Sequence, residues 1–177
     1  MFDVHLGQAV PFQMRLVALW WDAHSIPERD NVDFPTELAR VPKGPGVYAV
    51  TGRYEAGSSP GVLYIGQARD LSARMPMSAY ESLSEVHADG QRLLCSDVWD
   101  LTVRWACLSV DLLNGVERLL IMSHSPPFNS QGVRRGEPRS EDYDLVVMNA
   151  GRKGPVFPIV AGAYQASWRN RSGPISP

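Results

Sequence analysis

Lys43-Gly44-Pro45-Gly46-Val47-Tyr48-Ala49-Val50-Thr51 is followed, after a short gap, by Val62-Leu63-Tyr64-Ile65-Gly66-Gln67. Glycine and proline punctuate the first four residues, which read as a turn. Val47–Thr51 is rich in β-branched and aromatic side chains and reads as a strand. Gly57-Ser58-Ser59-Pro60-Gly61 reads as a loop and Val62–Ile65 as a second strand, so the two are expected to form a hairpin. In such a hairpin Tyr48 and Tyr64 stand on adjacent strands, where both phenols can point to one sheet face.

Working outward, Asp70 can cap a helix carrying Leu71, Arg74 and Met75, and a further helical stretch is expected near Ala79–Ala88, stopped by Gly90. Trp99, Leu101, Val103, Trp105 and Cys107 alternate with Asp100, Thr102, Arg104 and Ala106, the period of two of a half-buried strand. A helix follows over about Asn114–His124, ended by Pro126-Pro127. Two short strands, Leu145–Met148 and Val156–Val160, are expected in the tail. Upstream lie an apolar run, Leu16–Trp21, a polar stretch, Ile26–Phe34, and a short helix at Thr36–Arg40. The fold class is therefore α/β: a small, mainly antiparallel central sheet flanked by helices. The expected organisation is an N-terminal extension over 1–35, a core over 36–132, and a basic C-terminal extension over 133–177 that can pack on the core.

A chain of 177 residues favours one domain with extensions and can bury a core without disulfides. The net charge of −2 weighs against a nucleic-acid partner, but its distribution does not. Residues 134–177 hold 7 basic and 4 acidic side chains, whereas 44–133 hold 6 and 9. The tail cations Arg134, Arg135, Arg139, Arg152, Lys153, Arg169 and Arg171 could follow a phosphate backbone or simply be solvated. Cys95 and Cys107 form no C-x-x-C pair, so zinc is not indicated and buried thiols in a reducing cytoplasm are expected. No signal-peptide pattern opens the chain, and Leu16–Trp21 is too short to span a membrane.

Tyr48, Tyr64, Arg74, Glu117 and Asn129 could serve one chemistry. Cutting a phosphodiester requires an activated water, stabilisation of negative charge on the phosphoryl oxygens, and help for the leaving oxygen. A carboxylate can hold a divalent metal, an arginine fork matches phosphate oxygens, and a tyrosine can take a proton if nearby cations lower its pKa. Each residue also has a plainer use. Tyrosines are common in strands, Arg74 could be a surface residue, and Asn129 could belong to a turn. Asn114-Gly115-Val116-Glu117 could be a capping box in which Glu117 reaches back to the Asn114 amide. His124, two turns beyond Glu117 on the same helix face, is a weaker candidate and reads first as a helix-end histidine. No G-x-S-x-G, G-x-G-x-x-G or P-loop occurs.

In combination these residues resemble the GIY-YIG nucleases. Gly46-Val47-Tyr48 is similar to the family's G-[IV]-Y element and Tyr64-Ile65-Gly66 to its Y-[IV]-G element. Gly66–Arg74 resembles the segment that places the family's arginine, and Glu117-Arg118-Leu119-Leu120-Ile121 with Pro127-Phe128-Asn129-Ser130 resembles its metal-binding helix and terminal asparagine. The resemblance covers about residues 36–132. It implies one divalent metal, Mg²⁺ or Mn²⁺, on Glu117, a tyrosine-assisted water, Arg74 on the scissile phosphate, and Asn129 in support. It implies DNA as the partner, with Gln67, Arg69, Arg134 and Arg135 as lesser backbone contacts. A stand-alone member of this size suits a restriction-type enzyme or a DNase toxin, the latter with an inhibitor or immunity protein. A homodimer would let two single sites cut two strands. Two positions depart from the family: Gln67 stands where many members have lysine, and Ser78 where some have histidine. They leave open an alternative, a catalytically impaired nucleic-acid-binding module on the same scaffold.

Overall fold

The computed structural model describes residues 14–25, 41–53, 58–74, 99–129 and 144–162, with the backbone alone at Trp99. Six strands form one sheet: β1 (Arg15–Ser25), β2 (Gly46–Arg53), β3 (Gly61–Ala68), β4 (Trp99–Cys107), β5 (Leu145–Gly151) and β6 (Ile159–Ala161), in the order β3-β2-β4-β1-β5-β6. The expected hairpin is present. β2 pairs antiparallel with β3, Tyr48 facing Gly66 and Val50 facing Tyr64, with a register shift after Val50. β4 spans the residues whose alternation marked it and pairs antiparallel with β2 on one side and β1 on the other.

The sheet is mixed rather than mainly antiparallel. β1 runs parallel to β5, Arg15 opposite Leu145 through Trp21 opposite Gly151. Its last four residues, Asp22–Ser25, pair with β4 instead. β1 thus lies inside the sheet, and the described tail strands β5 and β6 extend that sheet. A buried hydrogen bond reinforces the joint. Trp21 Nε1 donates to Asn149 Oδ1 at 2.9 Å, and Asn149 Nδ2 donates to the Phe157 carbonyl at 2.8 Å. These bonds satisfy polar atoms that would otherwise destabilise the interior.

Among the described residues one long helix covers one face of the sheet. A 3₁₀ turn, Val110–Leu112, leads into α1, Leu113–His124. Its apolar stripe, Leu113, Val116, Leu119, Leu120 and Ile121, packs on Leu19 and Trp21 of β1, Val47 and Ala49 of β2, Ile65 of β3 and Val147 of β5. Each such side chain contributes about 1.5–3 kcal/mol when fully buried. α1 ends at Ser125, which adopts a left-handed φ of 47° while its N–H donates to the Ile121 carbonyl at 2.8 Å. Pro126 and Pro127 then exclude a further turn. On the opposite face Tyr48, Val103 and Trp105 pack with Val41, Ala68 and Leu71.

Leu71 begins the helical turn that Asp70 was expected to cap. Asp70 Oδ1 accepts from the Ser72 N–H at 3.0 Å and from its hydroxyl at 2.7 Å, and residues 71–74 are helical. Cys107 is exposed rather than buried, because it is the last residue of β4, beyond the packed layers. The expectations for Thr36–Arg40, Met75, Ser78, Ala79–Ala88, Cys95, Arg134 and Arg135 lie outside the described residues. Among the described residues no helix is long and apolar enough to cross a membrane.

Candidate active site

β3 is an edge strand, so its outward backbone groups need partners other than a neighbouring strand. The segment from α1 to Asn129 supplies them. The Phe128 N–H donates to the Leu63 carbonyl at 3.0 Å. The Asn129 side chain then takes both groups of Ile65: Oδ1 accepts its N–H at 2.8 Å and Nδ2 donates to its carbonyl at 2.7 Å. One primary amide thereby does what a residue of a paired strand would do. Two residues further, Gln67 hydrogen-bonds the Glu117 carboxylate through both its backbone N–H and its side chain.

The tyrosines meet across the hairpin with ring centroids 6.0 Å apart and planes inclined by 36°. Gly66 makes this possible. A Cβ there would lie 2.5 Å from Tyr48 Cζ and 2.6 Å from its Oη, so the phenol crosses the strand where a side chain would stand. Tyr48 is 1% exposed, whereas Tyr64 is half-buried.

Glu117 reaches β3 from α1. Burial pushes its carboxyl up to about 7, against smaller opposing contributions from the Gln67 hydrogen bonds and the Arg118 charge. The capping-box reading fails on geometry. α1 is capped by Leu112 without any side-chain hydrogen bond, and Asn114 lies inside the helix. Asn114 Oδ1 instead accepts from Gln67 Nε2 at 2.6 Å. Asn114 was therefore visible in the sequence for the wrong reason. The available signal was its spacing, since a residue three before Glu117 shares its helix face.

Other candidates are less closely joined. Arg74 and Arg69 are exposed, and the Arg74 N–H donates to the Asp70 carbonyl at 3.1 Å. Among the described contacts none joins the Arg74 guanidinium to either tyrosine or to Glu117. His124 faces away from the site. Its Nε2 accepts from the Phe157 N–H at 3.3 Å and its ring packs on Phe157 at 4.3 Å. Burial, helped by the Lys153 charge, pushes it down to about 4, so it is a neutral acceptor that ties α1 to the tail. Of the tail cations, Arg152 lies 3.6 Å from Asp22 and Lys153 Nζ donates to the Val156 carbonyl at 3.0 Å.

No family model matches the chain, and no curated protein does. Among solved structures, the chain is similar to the GIY-YIG N-terminal endonuclease domain of UvrC from Thermotoga maritima, a point mutant bound to its catalytic divalent cation. Identity is 21%, the overlap covers 57% of this chain and 99% of that one, and the TM-score is 0.38.

A divalent cation fits them. Glu117 offers hard carboxylate oxygens, and its raised pKa reflects a negative charge held out of water, which a cation would relieve. Among the described residues no three His, Cys, Asp or Glu side chains converge. A metal would therefore rest on Glu117 and retained water, as Mg²⁺ does when held by one or two carboxylates.

Proposed function

We propose that this protein is a divalent-metal-dependent endonuclease of the GIY-YIG type that hydrolyses phosphodiester bonds in DNA. One observation carries the reading. Four consecutive residues of β3 meet the other candidates: Tyr64 pairs with Tyr48, Ile65 is clasped by Asn129, Gly66 lies beneath the Tyr48 phenol, and Gln67 binds Glu117. β3 is thus the common element between two phenols, which pack on the face opposite α1, and a desolvated carboxylate that reaches the strand from α1.

Each residue then has a role. Glu117 would hold Mg²⁺ or Mn²⁺, which when bound supplies Lewis acidity at a phosphoryl oxygen. Tyr64, half-buried and within reach of water, orients the attacking water or accepts its proton. Tyr48, buried beside it, fixes the Tyr64 ring. Asn129 acts through the Ile65 backbone, holding Tyr64 and Gly66 in register. Arg74 stands on the exposed turn after β3, where its guanidinium can meet the scissile phosphate. Arg69 shares that surface, and Arg134 and Arg135 would add backbone contacts. The settings that suit a compact nuclease are a restriction-type enzyme or a DNase toxin, cytoplasmic, acting as a homodimer where both strands are cut, and held by an immunity protein if it is a toxin.

The outward placement of Arg74 favours one rival, a binding module that has lost catalysis. Supercoiled plasmid separates the two. The nuclease converts it to nicked or linear forms with Mg²⁺ and not with EDTA, and Glu117→Gln abolishes conversion while DNA binding persists. Equal cutting in excess chelator refutes the metal mechanism. Binding without cutting under any divalent metal supports the module.

A further inference from the structure

We propose that Gln67 and Asn114 form a positioning pair that holds the Glu117 carboxylate in its metal-binding orientation. This deepens the nuclease reading and rests on Glu117 as the ligand. The two residues bridge β3 and α1. Gln67 Nε2 donates to Asn114 Oδ1 at 2.6 Å, while the Gln67 side chain and backbone both hydrogen-bond Glu117. A primary amide has two N–H donors on one nitrogen, enough to serve Asn114 and Glu117 together. The carboxylate decides which way the Gln67 amide faces, because a reversed amide would set its oxygen against an acceptor with no proton between them, and Asn114 Oδ1 then takes the second N–H.

The chemistry explains why a neutral residue suits this position. Amide donors orient a carboxylate without supplying a counter-charge, so a cation that displaces its proton meets no competing positive group on Gln67. Gln67 also restrains Glu117 from the strand side, while α1 carries it from the other. The carboxylate is thus ordered before any metal arrives, which reduces the entropy lost on binding.

The test is Mn²⁺ affinity, measured by calorimetry on the full chain, with thermal melting on each variant. Glu117→Gln, Gln67→Met, Asn114→Ala and the double variant Gln67→Met/Asn114→Ala are compared with wild type. Partners of metal ligands typically change affinity by about 10–100-fold, and Gln67→Met is expected to weaken Mn²⁺ binding by that amount. Asn114→Ala should weaken it in wild type but have no further effect beside Gln67→Met, because it acts through Gln67. Cleavage should recover at saturating Mn²⁺ with KM for DNA unchanged, which a general loss of structure would not produce. If Gln67→Met and Asn114→Ala bind Mn²⁺ within twofold of wild type while Glu117→Gln does not bind it, the pairing is overturned and the nuclease reading stands. If Glu117→Gln binds Mn²⁺ as wild type does, the ligand assignment falls and the pairing with it. Should Gln67→Met fail to fold, Asn114→Ala on the exposed helix surface decides alone, by the same twofold criterion.

Discussion

Replacing Gly66 with alanine should damage both fold and site through a single contact. The added methyl would lie 2.5 Å from Tyr48 Cζ, 2.6 Å from Oη and 2.9 Å from Cε1. Carbon atoms pack at about 3.5–4.0 Å, so the ring must retreat by about 1 Å. It has little room, being 1% exposed and packed among Val41, Leu71, Val103 and Trp105. Overpacking of this kind costs about 1–3 kcal/mol. For a chain of this length each kcal/mol lowers Tm by about 2–4 °C, so a drop of about 2–12 °C is expected. Cleavage should fall further than stability, since Tyr48 positions the Tyr64 ring and a misplacement of about 1 Å can cost about a hundredfold in rate. The decisive comparison is a double-mutant cycle followed by thermal melting. In a Tyr48→Leu background the ring is gone, and Gly66→Ala should become nearly neutral. An equal loss in both backgrounds would refute the claim that this glycine makes room for the phenol.

Asn129→Ala should cost about 2–4 kcal/mol in urea denaturation, because two partly buried backbone groups of Ile65 lose their partners. Asn129→Asp should be at least as harmful, since it sets a carboxylate oxygen against the Ile65 carbonyl. A loss below about 0.5 kcal/mol with unchanged exchange protection at the Ile65 amide would contradict this role. Glu117 has its folded pKa raised from 4.5 to about 7, so the folded state holds a proton that the unfolded state has released between those values. Its stabilising contribution is therefore present below pH 4.5 and lost as pH rises through 7, by about 1–3 kcal/mol after allowance for partial exposure. His124, depressed from 6.5 to about 4, acts oppositely, so stability falls as pH drops through that window. The difference in stability between Glu117→Gln and wild type, taken without metal, isolates the first effect. It should grow from pH 4.5 to 7, and a flat difference would contradict the burial of this carboxyl.

The hairpin, β4 and α1 were legible because each announces itself locally. β2 and β3 are apolar runs bounded by glycine and proline, β4 alternates with period two, and α1 ends in paired prolines. β1 was not legible as part of the sheet. Its outward positions include Leu16 and Trp20, 63% and 76% exposed, so the polar half of the usual alternation is missing. Its partner β5 also lies almost the whole chain away, and local patterning carries no information about such a pair. The site shows the same division. Residue types and order exposed Tyr48, Tyr64, Glu117 and Asn129 as candidates. The structure adds where they sit: Asn129 on the Ile65 backbone, the Tyr48 phenol over Gly66, and Glu117 beside Gln67.

The position of β1 bears on how the chain is made. A strand near the start of the sequence waits for its parallel neighbour until residues 145–151 have been synthesised. Until then Arg15–Trp21 offers an unpaired edge carrying Leu16, Val17, Leu19, Trp20 and Trp21, the kind of segment that recruits strands from other molecules. Long-range pairings of this type also slow folding, because the intervening loop must close before any contact rewards it. A chain terminated before β5 would keep both tyrosines, Glu117 and Asn129, yet expose this apolar strand. Translation through β5 and β6 thus completes the sheet that carries the candidate site, after every candidate residue of the described site has already been made.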